Sequence, residues 1–390
     1  MKDVYIIGIG QTPVSKNAQK TPVQLAAHAI EEAIATAGVD KEQIGALFVG
    51  NMMSGMLSNQ AQLGPVIADH VGLVGVEALA IDAACASGGN AARLGFMAIA
   101  GGFHKVVVAA GVEVMNHVSR DRITEALATG SEWETEGSRG ESFISLNARL
   151  MQGYMEKYKV TEDSFGYFSI NAHANANTNP NAMLHKSMTL DEYRQARVLT
   201  APIKLSDAPP VSDGSAAIVL ADRDVALNAM RHSFPAVRIA ASVAATDRLS
   251  SRNRWQSVSL PAVTKSTQLA YAQANIKRSD INFFELHDAY SIIAVLSLEA
   301  AGFAEPGAGF ELGVSGDITL TGKLPISTMG GLKARGHPVG ATGLYQIIEA
   351  YQQLTDKAGV NQVQNCRIGM TQSIGGTAAT VVTHLLARVA

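Results

Sequence analysis

Cysteine is scarce in this chain. Only Cys85 and Cys366 occur among 390 residues, too few for a disulfide framework or a cysteine-built zinc site. Charge is sparse too. Charged residues make up 17% of the sequence and the net charge is −3. There is no basic block, so neither a nucleic-acid nor a membrane surface is expected. No apolar run approaches the roughly 18 residues of a spanning helix, and the run at residues 4–9 is too short for a signal peptide. The expected compartment is the cytoplasm. His117, His173 and His185 lack metal-ligand spacing and read as surface or structural residues, so no metal is expected. Gly8-Ile9-Gly10-Gln11-Thr12-Pro13 is half a dinucleotide fingerprint. Its third glycine is missing, and Pro13 stands where the helix should begin.

What the chain does have is apolar bulk. Hydrophobic residues make up 47% of it, and its length suffices for two ordinary domains or one large duplicated one. The stretch Asp82-Ala83-Ala84-Cys85-Ala86-Ser87-Gly88-Gly89 lies between an apolar segment (76–81) and a helical one (88–100). It reads as strand, tight turn, helix. A thiol at a helix N-terminus meets unpaired N–H groups that favour a thiolate, and the small neighbours leave room for a thioester. Cys366 has no such setting.

Thr21-Pro22 opens a helix over 23–37 that Gly38 ends, and 44–49 is the next strand. The Met-rich loop 51–56 reads as a core edge, a subunit contact or part of an acyl pocket. From about 116 to 205 polar residues rise and helices are predicted at 143–157 and 163–175, an inserted and mostly helical lobe. The second half then repeats the first. Residues 35–49 align with 272–286 as helix end, polar turn and strand. Ala86-Ser-Gly-Gly89 corresponds to Gly340-Ala-Thr-Gly343, and Gly214-Ser-Ala-Ala-Ile-Val to Gly376-Thr-Ala-Ala-Thr-Val. Two facing copies of one α/β unit would bring equivalent turns together around a pseudo-twofold axis, with the site between them. Three turns are then expected near Cys85: Glu285-Leu286-His287-Asp288-Ala289-Tyr290, the glycine-lined turn from Gly336-His337 to Gly343, and Gln372-Ser373-Ile374-Gly375-Gly376-Thr377. A histidine beside the cysteine would be the base that a thiol nucleophile needs.

Over essentially its whole length the sequence resembles the thiolase superfamily. The resemblance rests on the Cys85 turn, Asp213-Gly-Ser-Ala-Ala217, Gly336-His-Pro-Val-Gly-Ala-Thr-Gly343 and Ile374-Gly375-Gly376. It is closest to the archaeal-type and sterol-carrier-protein-x-type branch, which carries His-Asp, here His287-Asp288, where the biosynthetic and degradative thiolases carry Asn-Glu. Gly330-Gly331-Leu332-Lys333-Ala334-Arg335-Gly336-His337 also looks like that branch.

This resemblance implies an α/β thiolase fold, a duplicated five-layer α-β-α-β-α architecture with an inserted helical loop domain. The boundaries implied are 1–118 and 205–235 for the N-terminal half, 119–204 for the loop domain and 236–390 for the C-terminal half. It implies acyl transfer between coenzyme A thioesters through an acyl-Cys85 intermediate, with no bound cofactor. His337 would take the Cys85 proton, and His287 and His337 would form one oxyanion hole. The backbone N–H groups of Cys85 and Gly375 would form the other. A homodimer or dimer of dimers is implied, and so is a small OB-fold, zinc-ribbon partner protein. No motif assigns the coenzyme A contacts.

One departure matters. Many thiolases carry a second cysteine as acid/base in the C-terminal turn, where this chain has Ser373. The sterol-carrier-protein-x branch has a cysteine after His-Asp, where this chain has Ala289. With both absent, His287 is the best remaining candidate base, unless a partner or the substrate supplies the group. The leading expectation is an acetyl-CoA C-acetyltransferase. A thiolase for a bulkier branched or aromatic β-ketoacyl-CoA and a non-catalytic acyl-CoA-binding scaffold are the alternatives.

Overall fold

The computed structural model describes residues 1–251 and 258–389. Its strands are β1 (Val4–Gln11), β2 (Ala46–Gly50), β3 (Glu77–Ile81), β4 (Val106–Glu113), β5 (Val198–Thr200), β6 (Ile203–Lys204), β7 (Gly214–Asp222), β8 (Val237–Thr246), β9 (Phe283–Glu285), β10 (Ile368–Gly375) and β11 (Thr380–Arg388). Apart from the small β5–β6 pair they form one mixed sheet in the order β3-β2-β4-β7-β1-β8-β11-β10-β9.

That order is a palindrome. Reading outward from the β1–β8 seam, β1, β7, β4 and β2 mirror β8, β11, β10 and β9. The seam itself pairs Tyr5 with Arg238 and Ile6 with Val237. The pairing senses match as well: β2–β4 and β9–β10 are parallel, β4–β7 and β10–β11 antiparallel. The counterpart of β3 is reduced to a single parallel bridge, Phe284 to Ile326.

Between residues 35–49 and 272–286 the repeat read from the sequence is present residue for residue. The helix Pro22–Ala37 stops at Gly38 (φ 64°), and Pro261–Ala274 stops at the equivalent Asn275 (φ 53°). Glycine and asparagine are the residues that tolerate this left-handed cap. A short 3-10 turn follows each, Lys41–Gln43 and Arg278–Asp280. The backbone N–H of Asp40 donates to Gln43 and that of Lys277 to Asp280, each at 2.8 Å. Then come β2 and β9.

Two helices fill the space between the two half-sheets. The cysteine helix, Ser87–Ala100, packs on β2 and β4, and the C-terminal helix, Thr342–Leu354, packs on β10 and β7. They cross very closely. A Cβ on Gly343 would stand 2.4 Å from the Gly89 nitrogen, and one on Gly88 would stand 2.8 Å from the Gly340 carbonyl. Only hydrogen fits there. The C-terminal helix is buried around its circumference, its polar Gln346, Glu349 and Gln353 as well as Leu344, Tyr345, Ile347 and Ile348, as expected of a helix enclosed between the two half-sheets. Each of those apolar side chains contributes about 1.5–3 kcal/mol of burial. The helix Pro22–Ala37 covers β1 and β7 on one outer face, and Pro261–Ala274 covers β8 and β11 on the other. Five layers result.

Between β4 and β7 the insertion carries the helices Arg120–Ala128, Phe143–Tyr158, Asp163–Ala176 and Leu190–Gln195 with the β5–β6 pair. The apolar segment before Cys85 is a strand, as read, and lies at the sheet edge: β3 pairs with β2, and Glu77, Leu79 and Ala80 are exposed. Of the three readings of the Met-rich loop, the core edge fits the packing. Met53 is fully buried and packs with Leu57, Met115 and Val339 around Cys85. Among the described residues no helix is long and apolar enough to cross a membrane.

Candidate active site

Cys85 sits two residues before the cysteine helix, in a turn that its own polar groups hold. Asp82 accepts from the Ala84 N–H at 2.8 Å. The Ser87 hydroxyl accepts from the Ala83 N–H at 2.9 Å and donates to the Ala84 carbonyl at 2.6 Å. Ala84 is forced to φ 50°, a left-handed conformation costing on the order of 1–3 kcal/mol for a residue with a Cβ. The strain turns the Cys85 thiol toward a cavity of about 570 Å³ whose walls also include His287, Tyr290 and His337.

The thiol is not the thiolate that the helix end suggested. Burial, and next the Glu113 carboxylate, push it up to about 12. Hydrogen bonds from its own N–H and from the Gly376 N–H pull the other way and do not win. At neutral pH the group is S–H and needs a base.

His337 is built for that task. Its Nδ1 lies 2.6 Å from the Thr342 hydroxyl, and that hydroxyl donates its one proton to the Pro338 carbonyl at 3.0 Å. Thr342 must therefore accept from His337, which fixes the proton on Nδ1 and leaves the Nε2 lone pair free. The His337 N–H donates to Ser212 at 3.0 Å, anchoring the turn. Burial first, then His287 and Arg335, hold this imidazole neutral, well below its usual range.

His287 stands edge-on to His337, ring centroids 5.3 Å apart and planes at 83°. Burial, then the cations Arg335 and Lys333, push it down to about 3. Burial and Arg335 act on His337 in the same direction, so difficulty of protonation does not choose between the two imidazoles as proton acceptor; their tautomers do. Its Nδ1 is buried without a partner. A buried lone pair costs less unpaired than a buried N–H, so the proton belongs on Nε2. There it serves as a hydrogen-bond donor. Asp288 turns away, its carboxylate accepting from the Leu332 N–H at 2.7 Å.

Ser373 is not among the cavity residues. Strand alternation sends Ile374 toward the cavity and Ser373 to the opposite face. There its hydroxyl donates to Gln346 at 2.8 Å, beside Gly89 and Gly343. Gly375 is still in β10, its Cα hydrogens against the Ala83 carbonyl. The cavity-facing N–H beside the Cys85 sulfur belongs to the next residue, Gly376. Cys366 is buried in the core, donating to the Gln353 carbonyl at 3.1 Å.

Several contributors were not legible in the sequence. Glu113, at the end of β4, accepts from the N–H groups of Met52 (3.0 Å), Met53 (3.2 Å) and Gly340 (3.2 Å) and from the Asn51 amide (3.0 Å). It ties the Met loop to the turn that carries His337. Exposed Lys16, Arg120 and Arg197 meet at the cavity mouth from three remote segments, a convergence that no local motif signals. The inner wall is apolar, with Ile123, Leu127, Phe143, Ile144, Ile293 and Val339. Among the described residues no group of His, Cys, Asp and Glu is arranged to hold a metal.

Residues 4–224 match the family described as Thiolase, N-terminal domain, and residues 242–388 that described as Thiolase C-terminal domain-like. An acetyl-CoA acetyltransferase of Methanothermobacter thermautotrophicus is 36% identical over 388 residues, spanning 100% of both chains. Sterol carrier protein 2 of Gallus gallus is 29% identical over 401 residues, covering 97% of this chain and 71% of that protein. The solved structure described as Ltp2-ChsH2(DUF35) aldolase superposes with a TM-score of 0.85 at 23% identity. The match covers 99% of this chain and 98% of that one, and is a likeness of fold.

Proposed function

Because this chain belongs to the thiolase superfamily, we propose that it transfers acyl groups between coenzyme A thioesters, with acetyl-CoA acetyl transfer as the leading reaction. The observation that carries the reading is the pairing of a neutral, buried Cys85 thiol with a neutral His337 whose free Nε2 opens on the same cavity. The apolar wall suits an acyl chain and pantetheine arm, and the three cations at the mouth suit the phosphates of coenzyme A.

Cys85 attacks the thioester carbonyl while its proton passes to His337 Nε2. The oxygen that gains charge is met by N–H donors, the backbone of Cys85 and Gly376 on one side. Donors fixed in a dry site stabilise such charge strongly. Collapse expels the coenzyme A thiolate, which takes the proton from His337 and leaves acyl-Cys85 and a neutral imidazole. The second acyl-CoA binds with its thioester oxygen toward His287. His337 then removes the α-proton, and the carbanion attacks the acyl-Cys85 carbonyl. Cys85 leaves and recovers that proton from His337, so atoms and charge balance without a second acid/base cysteine. The reverse order is thiolysis.

The test is intact mass after exposure to acetyl-CoA. The wild type and Cys366→Ala should each gain one acetyl group, Cys85→Ala none, and Cys366→Ala should keep nearly full turnover. An unacylated wild type would favour a non-catalytic scaffold.

A second reading, a bulkier β-ketoacyl substrate handled with a small zinc-ribbon partner, draws support from two features. The cavity extends well past the space an acetyl group needs, and the structural relative is described as a complex with a DUF35 protein. On that reading the isolated chain turns over acetoacetyl-CoA poorly and the partner restores the rate. Full turnover alone excludes the requirement. A homodimer is proposed on the exposed β3 edge, whose outward N–H and C=O groups and Leu79 (46% exposed) invite a second strand.

A further inference from the structure

Behind His287 lies a segment that the chemistry above does not use. Residues Gly331–Arg335 form a π-helix, a geometry that is rare and concentrated at functional sites. It begins where Gly330 (φ 106°) and Gly331 (φ 54°) let the chain press against the His287–Asp288 turn. A Cβ on Gly331 would stand 2.3 Å from the Asp288 carboxylate. Two bonds lock the pieces together. The Leu332 N–H donates to the Asp288 carboxylate at 2.7 Å, and Lys333 Nζ donates to the Asp288 carbonyl at 2.9 Å.

This π-helix also buries two cations. Lys333 is 1% exposed and Arg335 fully buried. Arg335 Nε lies 3.3 Å from Glu349, and the guanidinium lies 4.9 Å over the Tyr345 ring. Burying a cation costs several kcal/mol before its partners compensate. Mere stability is a weak reason to place two of them in one five-residue segment.

We propose that Lys333 is a positioning residue for His287: its ammonium clamps the Asp288 carbonyl, and so the His287–Asp288 turn, against the cavity, and its charge biases the site toward a negatively charged oxygen. The proposal rests on the thiolase reading for the identity of that oxygen, not for the clamp.

The groups around His287 are consistent with it. His337 faces the ring from its own turn, and Cys85 and Tyr290 face it across the cavity. Asp288 is spent on the π-helix. Glu285, two residues earlier, accepts from the Thr328 N–H at 3.0 Å, and Glu349 pairs with Arg335. The cations that act on the imidazole are Arg335 and Lys333, and both oppose its protonation. Removing one should therefore raise the pH at which His287 takes up a proton. A clamp acting only on the fold would not move that pH.

The experiment uses the full chain and two substitutions. Lys333→Met removes bond and charge; Lys333→Gln removes the charge but keeps a donor for the Asp288 carbonyl. The readouts are kcat and KM for acetoacetyl-CoA thiolysis against pH, and the titration of His287 by NMR of histidine-labelled protein without substrate. Lys333→Met should lower kcat roughly ten- to a hundredfold with little change in KM. In both variants the acid limb of kcat/KM and the His287 titration should move to higher pH. Lys333→Gln should keep more of kcat than Lys333→Met. A folded variant whose His287 titration and acid limb stay put overturns the proposal, even if kcat falls. So does failure of both variants to fold, which would make the lysine a plain stability element. A wild type that is inactive and also not acylated by acetyl-CoA would overturn the thiolase reading instead, while the NMR titration still tests the clamp.

Discussion

At the scale of single residues, neutrality before the reaction is the common theme. A thiol held near 12 should be alkylated slowly at pH 7, and its iodoacetamide rate should keep climbing above pH 9 without a plateau near neutrality. A plateau below pH 7 would mean a preformed thiolate. His287 and Ser373 should differ sharply on substitution. His287→Ala removes a cavity-facing donor and should cost on the order of a hundredfold in kcat. Ser373→Ala should keep most activity and cost about 1 kcal/mol of stability through the lost bond to buried Gln346. Equal losses in steady-state assays would put the Ser373 hydroxyl back in the chemistry. Cys85 and His337 were legible because each sits in a turn of small or glycine residues, and His287 because it stands at the end of the repeated strand and opens the His287-Asp288 pair. The face Ser373 takes was not legible, since the pleat of β10 decides it. Nor was the protonation of Cys85, because the burial and the Glu113 charge that raise it come from segments far away in sequence.

At the scale of elements, the duplication was the most readable feature: helix end, polar turn and strand recur with the same left-handed cap. How the halves join was less readable, because the seam depends on pairing between β1 and β8 that neither strand announces. One tie between layers has a measurable pH signature. His384, on β11, bonds the Gly89 carbonyl of the cysteine helix through Nε2 at 3.2 Å. Burial, then Arg93, push it down from 6.5 to about 4. An unfolded chain takes up that proton below about 6.5, the folded one only near 4. The stability due to neutral His384 is thus fully present above 6.5 and lost as pH falls toward 4, at up to about 1.4 kcal/mol per pH unit. His384→Gln, which keeps a donor for Gly89, should flatten the fall in urea-unfolding free energy over that window. An unchanged slope would show that folded His384 protonates normally.

At the scale of the whole molecule, the open β3 edge bears on assembly. Leu79→Lys puts a charge on the exposed side of that strand, a standard obstacle to strand pairing. It should convert a dimer to monomer in light scattering while leaving the cavity intact. A wild-type monomer, or a dimer indifferent to Leu79→Lys, would place the interface elsewhere. The palindromic sheet has a consequence for synthesis as well. All the strands of the first half-sheet lie within residues 1–222, so a ribosome has delivered them before the second half begins. Until Thr342–Leu354 emerges, however, the glycine-lined face of the cysteine helix has nothing to cover it, and Cys85 waits without its base. The nascent chain therefore passes more than a hundred residues of translation with that apolar face open, the stage at which a chaperone has something to hold.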